Sequence, residues 1–210
     1  LSDVDIDRAN AGKAGIAKTL NRLVEREKMT EAVAEQLLGR IETVAGTSAF
    51  AACDLVIEAA TEREEIKRAI FADVGKVLRE DAIMASNTSS IPITRMAQAS
   101  PDASRFIGIH FFNPVPVMGL IEVIPGLATS KDTVAVVSDF AASLNKEIVY
   151  AEDEPGFVVN RILLPVINEA VFVLGHGTAN IADIDKGCRI GLNHPMGPLT
   201  LADFIGLDTC

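Results

Sequence analysis

Five short, unbroken apolar runs limit most strongly what this chain can fold into. They are "CDLVIEAA" (53–60), "AIMAS" (82–86), "FIGIHFF" (106–112), "LIEVI" (120–124) and "EIVYA" (147–151). A strand wet on one face alternates apolar and polar residues, whereas an unbroken run fits a strand covered on both faces. Stretches with helical apolar spacing precede or separate these runs. "AGKAGIAKTLNRLVEREKM" carries Ile16, Leu20, Leu23 and Val24 on one side, and "TEAVAEQLLGRI" opens at Thr30, a good N-cap. "EREEIKRAIFADVGKVLRE" spaces Ile66, Ile70, Val74 and Leu78, and "DTVAVVSDFAASLN" forms a further helix. Alternation of this kind from Leu1 to about Tyr150 predicts an α/β doubly wound, mainly parallel sheet. After "EDEPGF" only helical patterns remain: "VVNRILLPVINEAVFVLGHG", "ADIDKGCRIGL" and "PLTLADFIG". Pro165 is expected to kink the first of these or to sit in its opening turns. The expected division is an α/β domain over 1–154 and an all-helical domain over 155–210.

Bulk composition narrows the partners. An apolar content of 49% excludes a disordered chain, and no window is apolar for long enough to span a bilayer. A net charge of −10 argues against nucleic acid or an anionic membrane as partner. Cys53, Cys188 and Cys210 are odd in number and widely spaced, which reads as free thiols in a reducing compartment, so a cytoplasmic location is expected. The three histidines are far apart and form no metal-binding pair. Both ends read as cut: the chain opens without Met, as if late in a strand, and stops just after a helix. A piece of a longer protein is expected, and a targeting signal ahead of Leu1 stays open.

Several motifs sit where chemistry would be done. Asp3 in "LSDVD" is placed to bind the adenosine ribose if Leu1 and Ser2 end the second strand of a dinucleotide fold; an ordinary turn residue is the alternative. The glycine fingerprint of such a fold would lie within roughly 30 residues ahead of that acid, before Leu1. In "VIEAATEREEIKRAIF" the alanines let a ligand approach, while Glu62 reads as a favourable charge at a helix start and Lys67 as a solvated cation. In "MASNTSSIPITRMA" Ser89 or Ser90 can cap the next helix, and Asn87 or Ser89 can equally meet a ligand at a strand end.

In "GIHFFNPVPVMGLIEVI", His110 ends one apolar strand and Glu122 lies inside the next. A buried carboxylate needs a partner. Pro114 and Pro116 turn the chain back, so that the two residues can be each other's partner. A carboxylate on one ring nitrogen fixes the tautomer and strengthens the other nitrogen as a base. The pair thus has the orientation logic of a catalytic dyad. In "EDEPGFVVNRILLP", Asn160 either bonds a neighbouring carbonyl or points into the cleft between the domains.

Taken together, "SNTSS", "RFIGIHFFNPVPVM", "LIEVI", "DEPGFVVNR", "NEA", "DIDKG" and "HPMGPLTLADFIGLD" resemble the 3-hydroxyacyl-CoA dehydrogenase family, in its order and over the whole chain. The resemblance implies a Rossmann-like NAD domain, a helical domain that dimerises, and oxidation of an (S)-3-hydroxyacyl-CoA to the 3-oxoacyl-CoA with NAD, or the reverse. It implies His110 as catalytic base, Glu122 as its orienting acid, Ser89 at the substrate hydroxyl and Asn160 near the substrate carbonyl. It also implies NAD contacts from Asp3, Glu62, Lys67, Asn87 and Ser89, and CoA contacts from Thr19 and Arg26. Without the glycine loop, this stretch alone is expected to bind NAD weakly. Gly119 stands where the family often carries a basic residue. The alternatives are a related two-domain hydroxy-acid dehydrogenase and a non-catalytic, crystallin-like relative.

Overall fold

The computed structural model describes residues 1–208 and 210. Its strands are β1 (Ser2–Asp3), β2 (Val44–Ala45), β3 (Leu55–Glu58), β4 (Ile83–Ser86), β5 (Phe106–Phe111), β6 (Leu120–Pro125) and β7 (Glu147–Tyr150). Its helices are α1 (Ile6–Glu25), α2 (Glu31–Gly39), α3 (Glu64–Val74), α4 (Ile93–Ala97), α5 (Lys131–Ser143), α6 (Val159–Gly175), α7 (Ile181–Gly191) and α8 (Pro198–Ile205). All five apolar runs are strands. Thr30 caps α2 by accepting from Val33, as its sequence position predicts. Among the described residues, no strand follows β7.

Where the structure departs from expectation, the reasons are local. The sheet is in two parts, a β1–β2 pair and a five-stranded β3-β4-β5-β6-β7 sheet. Two-residue strands are too short to show periodicity. Helix α1 starts earlier than its apolar stripe because Asp5 accepts from Arg8 and caps it. Helix α3 ends at Val74, although the pattern runs on to Glu80. Helix α6 runs on through Pro165.

Connections decide strand direction. Helices bridge β3 to β4, β4 to β5 and β6 to β7, and all three pairs are parallel. The link from β5 to β6 contains the two prolines and no helix, and that pair is antiparallel. Its register sets His110 directly opposite Glu122. Residues so paired share a face of the sheet, with Cβ atoms roughly 5 Å apart.

Each face of the sheet has its own core. Ile107, Ile109, Ile121 and Val123 pack with Val137 and Ala141 of α5. Phe106 and Ile124 pack on the other side with Ile93, Met96 and Phe71. His110 and Glu122 lie on this second face, just past the apolar core. Gly108 shares the face and lets α4 settle on it. A Cβ there would stand 2.8 Å from Ile93 Cδ1 and 3.0 Å from Ile124 Cβ.

Candidate active site

His110 is 4% exposed and Glu122 is fully buried. His110 Nδ1 lies 2.7 Å from Glu122 Oε2. An ionised carboxylate only accepts, so Nδ1 carries the proton in the neutral ring and Nε2 offers a lone pair. Ser89 Oγ lies 3.0 Å from that nitrogen. The second oxygen of Glu122 accepts from the backbone N–H groups of Val158 (3.0 Å) and Val159 (2.9 Å). These are free donors at the start of α6, whose N-cap residue has no side chain able to cap. Glu122 therefore orients the histidine and caps the first helix of the helical region. Burial opposes its ionisation, but His110 and the two α6 amides outweigh that and hold its carboxyl below the ordinary 4.5.

The chain bends sharply to present those amides. Gly156 has φ +80° and Phe157 has φ +49°. For a bulky residue the left-handed region costs on the order of 1 kcal/mol, and here the turn aims α6 at Glu122. The Phe157 ring lies 5.5 Å from the imidazole and the Phe112 ring 4.7 Å, both edge-on. Both rings pack against the imidazole, which is 4% exposed.

Ser89 opens onto a cleft of about 980 Å³ between the carboxyl ends of β3 and β4 and the start of α6. Ala59, Ala60, Thr61, Glu62, Asn87, Ser90 and Asn160 also line it. Asn160 resolves to the cleft-facing alternative, and its side chain has no hydrogen-bond partner among the described residues. Asn87 borders the cleft too, while its Oδ1 accepts from Phe111 N–H at 2.8 Å and ties β4 to the end of β5. Glu62 accepts through Oε1 from Ser89 N (3.0 Å), Ser90 N (3.2 Å), Ser90 Oγ (3.0 Å) and Thr88 Oγ1. Burial raises its pKa, yet these bonds and the Lys67 charge together keep it below the ordinary 4.5.

Two expectations at this site need correction. Lys67 is not solvated: it is 1% exposed, with Nζ 2.8 and 2.9 Å from the oxygens of Glu58 and 3.4 Å from Glu62 Oε2. Neither Ser89 nor Ser90 caps α4. Its first amides, Ile93 and Thr94, donate to Asp153 at 2.6 and 2.7 Å, because Pro92 and the chain's direction carry the serines toward Glu62 and His110 instead.

Besides His110 and Glu122, which lie behind Ser89, three expected site residues are outside the cleft lining. Asp3 ends β1, exposed, and its carboxylate accepts from Val4 N–H. Thr19 and Arg26 are exposed on and just after α1, with the Thr19 hydroxyl donating to Gly15 O. Glu58, Phe112, Phe157 and Asp153 escaped the sequence reading. Glu58 alone left a trace there, as an acid inside an apolar strand.

A mainly parallel, helix-covered sheet with a cleft at its strand ends, and a histidine–carboxylate pair joined to that cleft through Ser89, is the build of an NAD-dependent dehydrogenase. Residues 1–154 match the model of the 3-hydroxyacyl-CoA dehydrogenase NAD binding domain, and residues 156–210 match that of the C-terminal domain. The chain belongs to the 3-hydroxyacyl-CoA dehydrogenase family. It is 50% identical to a 3-hydroxybutyryl-CoA dehydrogenase of Bradyrhizobium diazoefficiens, over all of this chain and 72% of that one. It is 45% identical to a probable 3-hydroxybutyryl-CoA dehydrogenase of Bacillus subtilis, over all of this chain and 73% of that one. The crystal structure of (S)-3-hydroxybutyryl-CoA dehydrogenase PaaH1 from Ralstonia eutropha superposes with a TM-score of 0.96 at 48% identity, covering 99% of this chain and 74% of that one.

Proposed function

We propose that this chain interconverts a short-chain (S)-3-hydroxyacyl-CoA and its 3-oxoacyl-CoA, with His110 as the base and Glu122 as its orienting acid. The observation that carries this reading is the unbroken relay from the α6 amides through Glu122 and His110 to Ser89 at the cleft. His110 Nε2 takes the proton of the substrate hydroxyl, and Glu122 stabilises the imidazolium that results. Ser89 holds the hydroxyl oxygen, and the free amide of Asn160 holds the thioester carbonyl. Fixing both ends of the reacting unit is the positioning contribution. Phe112 and Phe157 pack against the base.

NAD supplies the hydride chemistry when bound. The donor set fits it: Ala59 and Ala60 expose backbone without bulk at a strand end, beside the Glu62 carboxylate and the Asn87 amide. The volume is that of a small-molecule site. Asp3 is proposed for the adenosine ribose, and Thr19 and Arg26 for the CoA portion. Dimerisation through the helical region is also proposed, supported by apolar side chains that α6 to α8 leave exposed, among them Phe172, Ile190 and Phe204. The free cysteines support a reducing compartment, the cytoplasm, and the net charge of −10 opposes a nucleic-acid or membrane partner.

Steady-state NADH oxidation by the full-length enzyme tests the reading. Acetoacetyl-CoA should turn over and free acetoacetate should not. Equal turnover of the two overturns the acyl-CoA assignment.

A further inference from the structure

One buried ion pair, Glu58 with Lys67, has no part in the mechanism above. Glu58 ends β3 and is 5% exposed; its Oε1 accepts from Ala60 N (2.5 Å) and its Oε2 from Ser86 Oγ (2.7 Å). Both oxygens also meet Lys67 Nζ, whose remaining reach goes to Glu62 Oε2. Lys67 donates hydrogen bonds to both Glu58 oxygens, and its contact with Glu62 is an ion pair. Lys67 borders the cleft and is 1% exposed.

Stability alone does not account for this cluster. A buried ion pair is often no more stabilising than apolar side chains of the same volume. Geometry does account for it. Glu62 gathers four donors from residues 88–90 on one oxygen, and one of them is the backbone N–H of Ser89. The Glu62 side chain is 42% exposed, so on its own it would sample several rotamers. The Lys67 charge on its other oxygen holds it in one, and Glu58 holds Lys67. Ser89 reaches His110 from the backbone position so defined.

We propose that Glu58, Lys67 and Glu62 form a three-charge strut that positions Ser89 against His110. All three are positioning residues, acting through the 88–90 loop rather than on the reacting atoms. The inference rests on the reading of Ser89 and His110 given under Proposed function.

The test is a double-mutant cycle in the full-length enzyme, at saturating NADH and acetoacetyl-CoA, joined to the imidazole ¹⁵N spectrum of His110 without ligands. Glu62→Gln removes the charge from a half-exposed site and leaves the fold intact. It should lower kcat by about 10- to 100-fold, the scale of a small misplacement. Added to Ser89→Ala at saturating NADH, it should cost little more, because the strut's effect on turnover passes through Ser89. In the ligand-free spectrum, Glu62→Gln should move the His110 signals in the same direction as Ser89→Ala does. Lys67→Met with Glu58→Gln, which leaves no unpaired buried charge, should do the same.

Multiplicative losses, with His110 signals unmoved by Glu62→Gln, overturn the strut. A Ser89→Ala enzyme with undiminished kcat instead overturns the catalytic reading of Ser89. The spectrum then judges the strut by itself, since it needs neither cofactor nor substrate.

Discussion

Replacing Glu122 by Gln changes one oxygen to an NH₂ group and nothing in size. The outcome follows from what each half of the group must face. The α6 amides of Val158 and Val159 need an acceptor, so the Gln oxygen stays with them. The NH₂ group then points at His110 Nδ1, which must give up its proton to accept from it. The proton moves to Nε2, and the atom facing Ser89 becomes a donor. A base in the wrong tautomer is no base. The equivalent exchange in a serine-protease triad costs on the order of 10⁴ in kcat, and about 10²- to 10⁴-fold is expected here. Stability falls as well. Hydrogen bonds to a charged group contribute roughly 1 kcal/mol more than neutral ones, and the carboxylate also meets the positive end of α6. A loss of about 1–3 kcal/mol should lower Tm by roughly 3–10 °C for a chain of this size. Stopped-flow or steady-state NADH oxidation with acetoacetyl-CoA, beside a thermal melt, measures both. A folded Glu122→Gln enzyme that keeps a third or more of wild-type kcat would refute the tautomer argument.

Three further outcomes follow. His110→Gln should abolish most turnover while NADH fluorescence titration shows unchanged binding; near-normal turnover means the base lies elsewhere. Gly108→Ala drives a Cβ to 2.8 Å from Ile93 and should cost about 1–3 kcal/mol of stability in a denaturant titration, with α4 displaced. Glu62, Glu122 and Asp185 all have folded-state pKa values below their ordinary 4.5, 4.5 and 3.8. A depressed acid contributes stability above its unfolded value and loses it as pH falls through the folded one. Tm should therefore drop steadily below about pH 4.5, and Glu122→Gln should flatten that decline; a parallel curve for the variant counts against the pair.

Much of this was legible before any coordinates. Continuous apolar runs give away strands covered on both faces, and an acid inside "LIEVI" demands a partner that "FIGIHFF" supplies. Glu58 in "CDLVIEAA" carries the same signal, an acid in an apolar strand, and should have called for a cation. Its partner was hidden because "TEREEIKR" puts Lys67 among charges, which looks like a solvated face. Pattern shows how charge is spaced along a helix, not which turn of it is pressed onto a sheet. The strand end at Leu1 and Ser2 was legible, but its partner β2 was not, since two residues carry no period.

Helix starts show the same limit. Capping rules look for an acceptor within the first turn of its own helix. Helices α2, α5 and α7 obey, with Thr30, Ser130 and Asn180. Helices α4, α6 and α8 open at Pro92, Val158 and Gly197, which provide no side-chain cap. Each is capped instead by an acid from elsewhere: Asp153 for α4, Glu122 for α6, and Asp185, through Leu199 and Thr200, for α8. Gly197 makes the last possible, because any Cβ there would stand 2.2 Å from the Asp185 carboxyl carbon. A cap within the helix stabilises only that helix. A cap from a distant element ties the helix start to another part of the fold, so forming it requires both to be in place. At α6 the tie ends on the acid that sets the tautomer of His110. The orientation of His110 is thus tied to the seating of the helix that carries Asn160 against the sheet.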